Sequence, residues 1–266
     1  EALFMGYGLQ RQDGRIRNSC VADQAAVANA VLEVIAALPE HSRKKDWLPC
    51  IETWAAWVKK EFAGPDGGTG VGILTFKWNP MEVYWCATTL YTATRFRLAR
   101  LTKTPDYRED ALEGLDWLAR FPFSEAIIPD FQTSPGGVLL YFSEGLAEGL
   151  EYIVETEGLE AARAHPAANK AVEVLEWLIE NQLPTGTLPI PKLRAHRSYE
   201  LGIPWLVCRL DAIIGPNPRY EAFTRKFLEF MTSEAGTAYY GLYVRPWAMG
   251  LAQLSLGEYL IRSPSP

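Results

Sequence analysis

Four times along these 266 residues an acid stands at the mouth of a helical segment that is otherwise poor in charge. In "RSYELGIPWLVCRLDAIIG", Arg197 to Gly215, Glu200 is followed by eight uncharged residues ending at Cys208. Asp23 opens "ADQAAVANAVLEVIAAL", Glu82 opens "EVYWCATTLYTATRF" and Glu144 opens "EGLAEGLEYIV". The separations between these acids are 59, 62 and 56 residues. A helix without a charged face has no side to turn to water, so each of these segments has to be packed on several sides. A regular supply of such helices constrains the fold more tightly than any single motif in the chain.

Apolar periodicity predicts nine helices, over Ala22 to Ala37, Lys44 to Phe62, Met81 to Leu101, Asp106 to Phe121, Ser143 to Glu157, Ala168 to Gln182, Tyr199 to Ile214, Arg219 to Thr232 and Pro246 to Ile261. Asn79-Pro80, Thr104-Pro105 and Asn217-Pro218 each supply a cap followed by a proline suited to the first helical position. "RKKDWLPCIETWAAWVKKEF" and "REDALEGLDWLARF" are amphipathic, with charges on one face and Trp or Leu at three-to-four spacing on the other. One charge-poor inner helix and one amphipathic outer helix per step of roughly 60 residues is longer than the common solenoid repeats of about 34 to 47 residues. Long Gly/Pro/aromatic stretches fill the excess: "AGPDGGTGVGILTFKWNP", "IIPDFQTSPGGVLLYF", "LPTGTLPIPKLRAHRS" and "EAGTAYYGLYVRP". Loops of that length are usually functional. The expected fold class is all-α, a single α/α toroid domain spanning residues 1–266, with an open helical solenoid as the alternative. Small residues such as Ala25, Ala26, Ala28, Gly145 and Gly149 allow the close packing that a ring needs.

Composition narrows the partners. A net charge of −6 offers no global attraction to phosphates, so nucleic acid is not an expected partner. No apolar run approaches the roughly 18 residues that cross a bilayer, so no membrane partner is expected either. The chain opens at Glu1 rather than Met, which is expected of a processed or trimmed start. Cys20, Cys50, Cys86 and Cys208 are widely separated, and three of them fall in apolar helical patterns, so buried free thiols are expected. His41, His165 and His196 lack metal-ligand spacing, and neither a metal nor a cofactor is expected. "GGTGVG" lacks the strand-to-helix context of a nucleotide loop and is expected to be a flexible or tight turn.

A carboxylate in the first turn of a helix is stabilised by unpaired N–H groups and the macrodipole, by typically about 0.3–1 kcal/mol, which accounts for such acids without any function. Their neighbours suggest more. Trp78, Tyr84, Trp85, Tyr199 and Trp205 lie around the acids, with Arg194, His196, Arg197 and Arg245 beyond them. If the ring closes, Asp23, Glu82, Glu144 and Glu200 form an acid pool at one rim. Flat aromatic faces and paired carboxylates are what glycoside cleavage requires, and arginines that can grip a carboxylate favour a uronate-containing oligosaccharide.

Gly-rich loops feeding an aromatic inner helix, as in "DGGTGVGILTFKWNPMEVYWCATTLYTATRFRLARLT", resemble the six-hairpin glycosidases, in particular the unsaturated glucuronyl and rhamnogalacturonyl hydrolases. The resemblance implies an (α/α)6 barrel, short uronate-containing substrates, and aspartates that hydrate the unsaturated uronyl ring. Asp23 is the clear inner-helix aspartate; the equivalent positions carry glutamates. Two alternatives remain open. One is a polysaccharide lyase or epimerase on the same scaffold, with Tyr199 or His196 taking the proton beside the uronate. The other is a non-catalytic helical-repeat protein that binds a protein partner.

Overall fold

The structure, a computed structural model, describes residues 19–73, 83–123, 135–189, 200–242 and 246–262. Among these residues eleven α-helices occur: α1 Val21–Ala37, α2 Lys44–Phe62, α3 Trp85–Thr102, α4 Pro105–Arg120, α5 Pro135–Glu157, α6 Leu159–Ala164, α7 Pro166–Asn181, α8 Ile203–Ile214, α9 Pro218–Thr232, α10 Glu234–Tyr240 and α11 Pro246–Arg262. The extended structure amounts to a two-residue antiparallel pair, β1 Ser19–Cys20 with β2 Gly72–Ile73, so the all-α expectation holds. The chain divides into two compact units, Glu1–Arg120 and Phe121–Pro266.

In the first unit α3 is the core. Every residue from Trp85 to Ala99 is buried, including Thr88, Thr89, Thr92, Thr94, Arg95 and Arg97. So polar a sequence stays buried because its side chains find partners, as buried polar groups must. The Asn29 amide of α1 donates to the Leu90 carbonyl at 3.1 Å and accepts from the Thr94 hydroxyl at 2.8 Å, while Arg97 Nε donates to Glu33 at 2.7 Å. These three contacts join residues 61, 65 and 64 positions apart. A near-constant offset means that α1 and α3 run parallel, and its value is close to the spacing of the acids in the sequence. Helix α2 lies outside them and buries Ile51, Trp54, Ala55, Val58 and Phe62, one stripe of its surface. Trp54 Nε1 donates to Gln24 of α1 at 2.5 Å, and the Tyr91 hydroxyl of α3 donates to the Ala55 carbonyl at 2.6 Å. The guanidinium of Arg95 lies over the Tyr91 ring at 4.6 Å, and burial pulls its pKa below the usual arginine range.

The second unit repeats the plan. Helix α5 packs on α6, α7 and α8, and α8 also meets α9 and α11. Arg209 of α8 donates to Glu148 of α5 at 3.2 Å and to both carboxylate oxygens of Glu151, offsets of 61 and 58 residues. The amphipathic α7 and α9 meet through Tyr220, whose hydroxyl donates to Glu176 at 3.0 Å. Phe227, Phe230, Tyr239 and Tyr240 form an aromatic cluster with centroid separations of 4.9 to 6.2 Å.

The boundaries depart from the sequence expectation where tertiary contacts take over. Helix α3 starts at Trp85 rather than Met81: Val83 bridges to Gly70, and Tyr84 is an extended cap whose N–H donates to Thr69. Helix α5 starts at Pro135 rather than Ser143, inside what looked like a loop. Helix α8 starts at Ile203, after a 3-10 turn at 200–202. Two short helices, α6 and α10, were not expected, and α10 occupies part of the "EAGTAYYGLYVRP" stretch. The Asn217-Pro218 start is as expected, with the Asn217 side chain accepting from the Arg219 N–H at 2.9 Å. All four cysteines are free; of the three in apolar helical patterns Cys86 is buried as expected, while Cys208 is half-buried and Cys50 is exposed on α2, which corrects two, and Cys20 before α1 is half-buried.

Candidate functional site

Parallel inner helices bring their N-terminal ends together within the first unit, and the glycine loop fastens them there. Val21 N–H at the start of α1 donates to the Val71 carbonyl, and Tyr84 N–H before α3 donates to the Thr69 carbonyl, each at 3.0 Å. Gly70 N–H reaches back to Phe62 at the end of α2 at 2.8 Å, and Thr69 N–H is taken by the Thr88 hydroxyl at 2.9 Å. Gly64 and Gly68 close the turn on themselves through Gly64 N–H to Gly68 O and Gly68 N–H to Pro65 O. The loop is therefore a tight turn in which the Gly64, Gly68, Thr69 and Gly70 N–H groups are spent on the turn itself, on Thr88 and on the end of α2, so these four donors are not available to a phosphate. Gly67 has φ +87°, and a Cβ there would lie 2.3 Å from the Glu113 carbonyl oxygen, so only glycine lets the turn sit against α4.

Asp23 stands in the first turn of α1 at this fastened end. The offsets of the α1–α3 seam place it level with Tyr84 to Thr88. It is half-buried, and burial pushes its pKa above the usual aspartate value, against the opposing effect of a hydrogen bond from the Cys20 thiol. Cys20 is itself pushed up, first by burial and then by the Asp23 charge, which keeps it a neutral donor. Tyr84 is half-buried and Trp85 is 6 % exposed, their rings 5.4 Å apart. Of this pair Tyr84 is the ring that reaches solvent.

In the second unit Glu200 and Glu144 occupy different levels. Glu200 is fully buried in the turn before α8, and its Oε2 accepts from the Tyr240 hydroxyl at 3.1 Å. Glu144 is half-buried and lies in the third turn of α5, because that helix begins nine residues earlier; its expected first-turn placement, with the macrodipole behind it, is corrected. Trp205 carries the Arg209 guanidinium at 4.7 Å from its ring centroid, so one face of this expected sugar platform is already covered. Burial opposes the Arg209 charge, but Glu151 and Glu148 override it and hold the guanidinium firmly protonated. Glu82, Trp78, Tyr199, Arg194, His196, Arg197 and Arg245 lie outside the described residues.

Tyr240, Arg209, Glu148 and Glu151 were not singled out from the sequence. Two of the signals were present. Arg209 is the first charge after the eight-residue neutral run, and Glu148 and Glu151 are the acids within "EGLAEGLEYIV". A charge in a helix that must be packed on several sides needs an opposite charge on its neighbour. Tyr240 carried no signal, because forty residues separate it from Glu200. Among the described residues no group of three His, Cys, Asp or Glu side chains is placed to hold a metal ion, and no helix is long and apolar enough to cross a membrane.

What fold and site define together is an all-α protein in whose first unit the charge-poor helices α1 and α3 run parallel, with Asp23 in the first turn of α1. Comparison with protein-family models, with curated proteins and with solved structures found no match.

Proposed function

We propose that this chain is a glycoside hydrolase-like enzyme that acts on a uronate-containing oligosaccharide by carboxylate acid/base chemistry, on an α/α toroid. The observation that carries this reading is Asp23. It is a half-buried carboxyl at the start of a charge-poor helix, raised in pKa by burial, which outweighs the opposing hydrogen bond from the Cys20 thiol. A general acid that works near neutral pH needs such an environment, because it must hold its proton until the leaving oxygen takes it. Tyr84, level with Asp23 and partly exposed, supplies an aromatic face for a pyranose ring. Glu82 and Glu144 are the remaining acids for the base role. Glu200, fully buried against Tyr240, is assigned to positioning the start of α8 rather than to touching substrate. Closure of the helices into a ring, the gathering of these acids at one rim, and anion contacts from Arg194, Arg197 and Arg245 belong to the same proposal.

The test is the ultraviolet absorbance of the unsaturated uronyl double bond, followed with acidic polysaccharides and separately with their lyase-generated unsaturated oligosaccharides. The expected result is a falling signal with the unsaturated oligosaccharides, lost in Asp23→Asn while the variant remains folded. A rising signal with intact polysaccharide would assign a lyase instead. An unchanged signal in both panels, or full turnover by Asp23→Asn, would overturn the assignment.

A further inference from the structure

A cavity within the second unit lies at the end of α8 remote from Glu200. It has a volume of about 590 Å³ and is lined by the last turns of α8, the 216–217 connection, the start of α9 and the end of α11. Its lining begins at Val207, in the second turn of α8, and continues away from the turn that holds Glu200. Its volume falls in the range of small-molecule sites, and the proposed sugar chemistry uses none of its residues.

We infer that this cavity binds a small organic cation, an amine carried on a flat apolar body. Three features point to that chemistry. Val207, Ala212, Pro216 and Pro218 give apolar walls, and Tyr220 and Tyr259 add aromatic surface, which suits a flat hydrocarbon body. The charges are unbalanced. Asp211 and Glu221 line the cavity with Arg262, but the Arg262 Nε donates to Glu258, and nearby Arg219 is committed to Glu176 at 2.7 Å. The two carboxylates thus outnumber Arg262, the one cation of the lining, which is shared between Glu258 and Asp211. Finally, the polar lining has unused capacity. Asp211 Oδ1 accepts from Asn217 N–H at 2.9 Å, while its other oxygen accepts no hydrogen bond among the described residues. The Thr224 hydroxyl, on a residue 1 % exposed, has the weakly accepting Cys208 thiol beside it and no nitrogen or oxygen partner among the described residues. A buried hydroxyl left unpaired costs stability, and a ligand or water in the cavity would satisfy it.

The other groups facing Asp211 fit this assignment. Burial holds its pKa above the usual aspartate value, with Asn217 N–H and Arg262 lowering it and Glu221 raising it. An ammonium group beside it would relieve that penalty. Cys208, also in the lining, is pushed up to about 11, by burial first and by the Glu258 charge second. It is therefore a neutral thiol at physiological pH and a reporter of occupancy rather than a nucleophile.

The experiment uses the intact chain and three ligands of one shape: phenethylamine, 2-phenylethanol and 3-phenylpropionate. Calorimetric titration is expected to show the amine bound and the alcohol and acid weaker by about tenfold or more, the value of a charge-assisted hydrogen bond. Asp211→Asn keeps an acceptor for the Asn217 N–H, and Glu221→Gln alters an exposed side chain, so both should fold normally and both should weaken amine binding. At mildly alkaline pH, where it keeps its proton, the amine should also slow iodoacetamide labelling of Cys208 and leave exposed Cys50 unaffected. Equal or tighter binding of the alcohol or the acid, no binding of any of the three, or unchanged amine affinity in both variants would overturn the assignment.

Discussion

The Thr94 hydroxyl donates to Asn29 Oδ1 at 2.8 Å across 65 residues of chain, inside the seam between two parallel helices. Asn29 is 3 % exposed and uses both ends of its amide, one for Thr94 and one for the Leu90 carbonyl. This side chain fixes the register of α1 against α3, and with it the level of Asp23 against Tyr84. Asn29→Ala should therefore cost about 1–3 kcal/mol, the penalty for leaving buried polar groups unpaired. Urea denaturation followed by circular dichroism measures it, and a cost well under that range would mean that apolar packing alone sets the register.

Arg209 is 8 % exposed in its side chain and Glu148 is 2 % exposed, so neither charge has water to fall back on. Arg209→Met should destabilise the protein by about 3–5 kcal/mol at neutral pH, because Glu148 is left charged in the interior. Adding Glu148→Gln and Glu151→Gln should recover much of the loss, since no orphaned charge then remains. The comparison is between unfolding midpoints of the single and triple variants. A triple variant no more stable than the single one would show that the arginine matters through packing on Trp205.

Asp23 has its pKa raised by folding, with burial as the main cause. The folded state then binds the proton more tightly than the unfolded state, so stability is highest below the unfolded value near 3.8 and falls as pH rises through the folded pKa. Asp23→Asn should stabilise the protein at pH 7 and lose that gain in acid. Thermal unfolding across pH checks the sign. If Asp23 is the general acid, the same variant should lose turnover while gaining stability, a combination that a purely structural aspartate would not produce.

Gly67→Ala should destabilise the first unit by more than about 1 kcal/mol, since the new methyl would meet the Glu113 carbonyl in a backbone conformation that side chains rarely adopt. Chemical denaturation of the variant is the direct measurement. Gly158, with φ +97° but open space around it, is the control. Gly158→Ala carries the conformational strain without the clash and should cost less.

Much of the fold was legible in the chain because local patterns carried it. Stripes such as Ile51, Trp54, Ala55, Val58 and Phe62 predict the amphipathic α2, and Asn217-Pro218 predicts the start of α9, since both depend only on neighbours in sequence. The spacing of the acids, about sixty residues, is close to the packing offset of the α1–α3 seam. Only the tertiary structure decided where helices begin when a loop residue competes for the backbone, as Gly70 does for Val83 through an isolated bridge. It also decided which acids share a level. Glu144 and Glu200 look equivalent in sequence, but α5 starts at Pro135 and carries Glu144 into its third turn, while Glu200 is enclosed with Tyr240. Burial and pairing depend on contacts between residues far apart in the chain, and a pattern that repeats along the sequence fixes the kind of helix without fixing what each side chain will face.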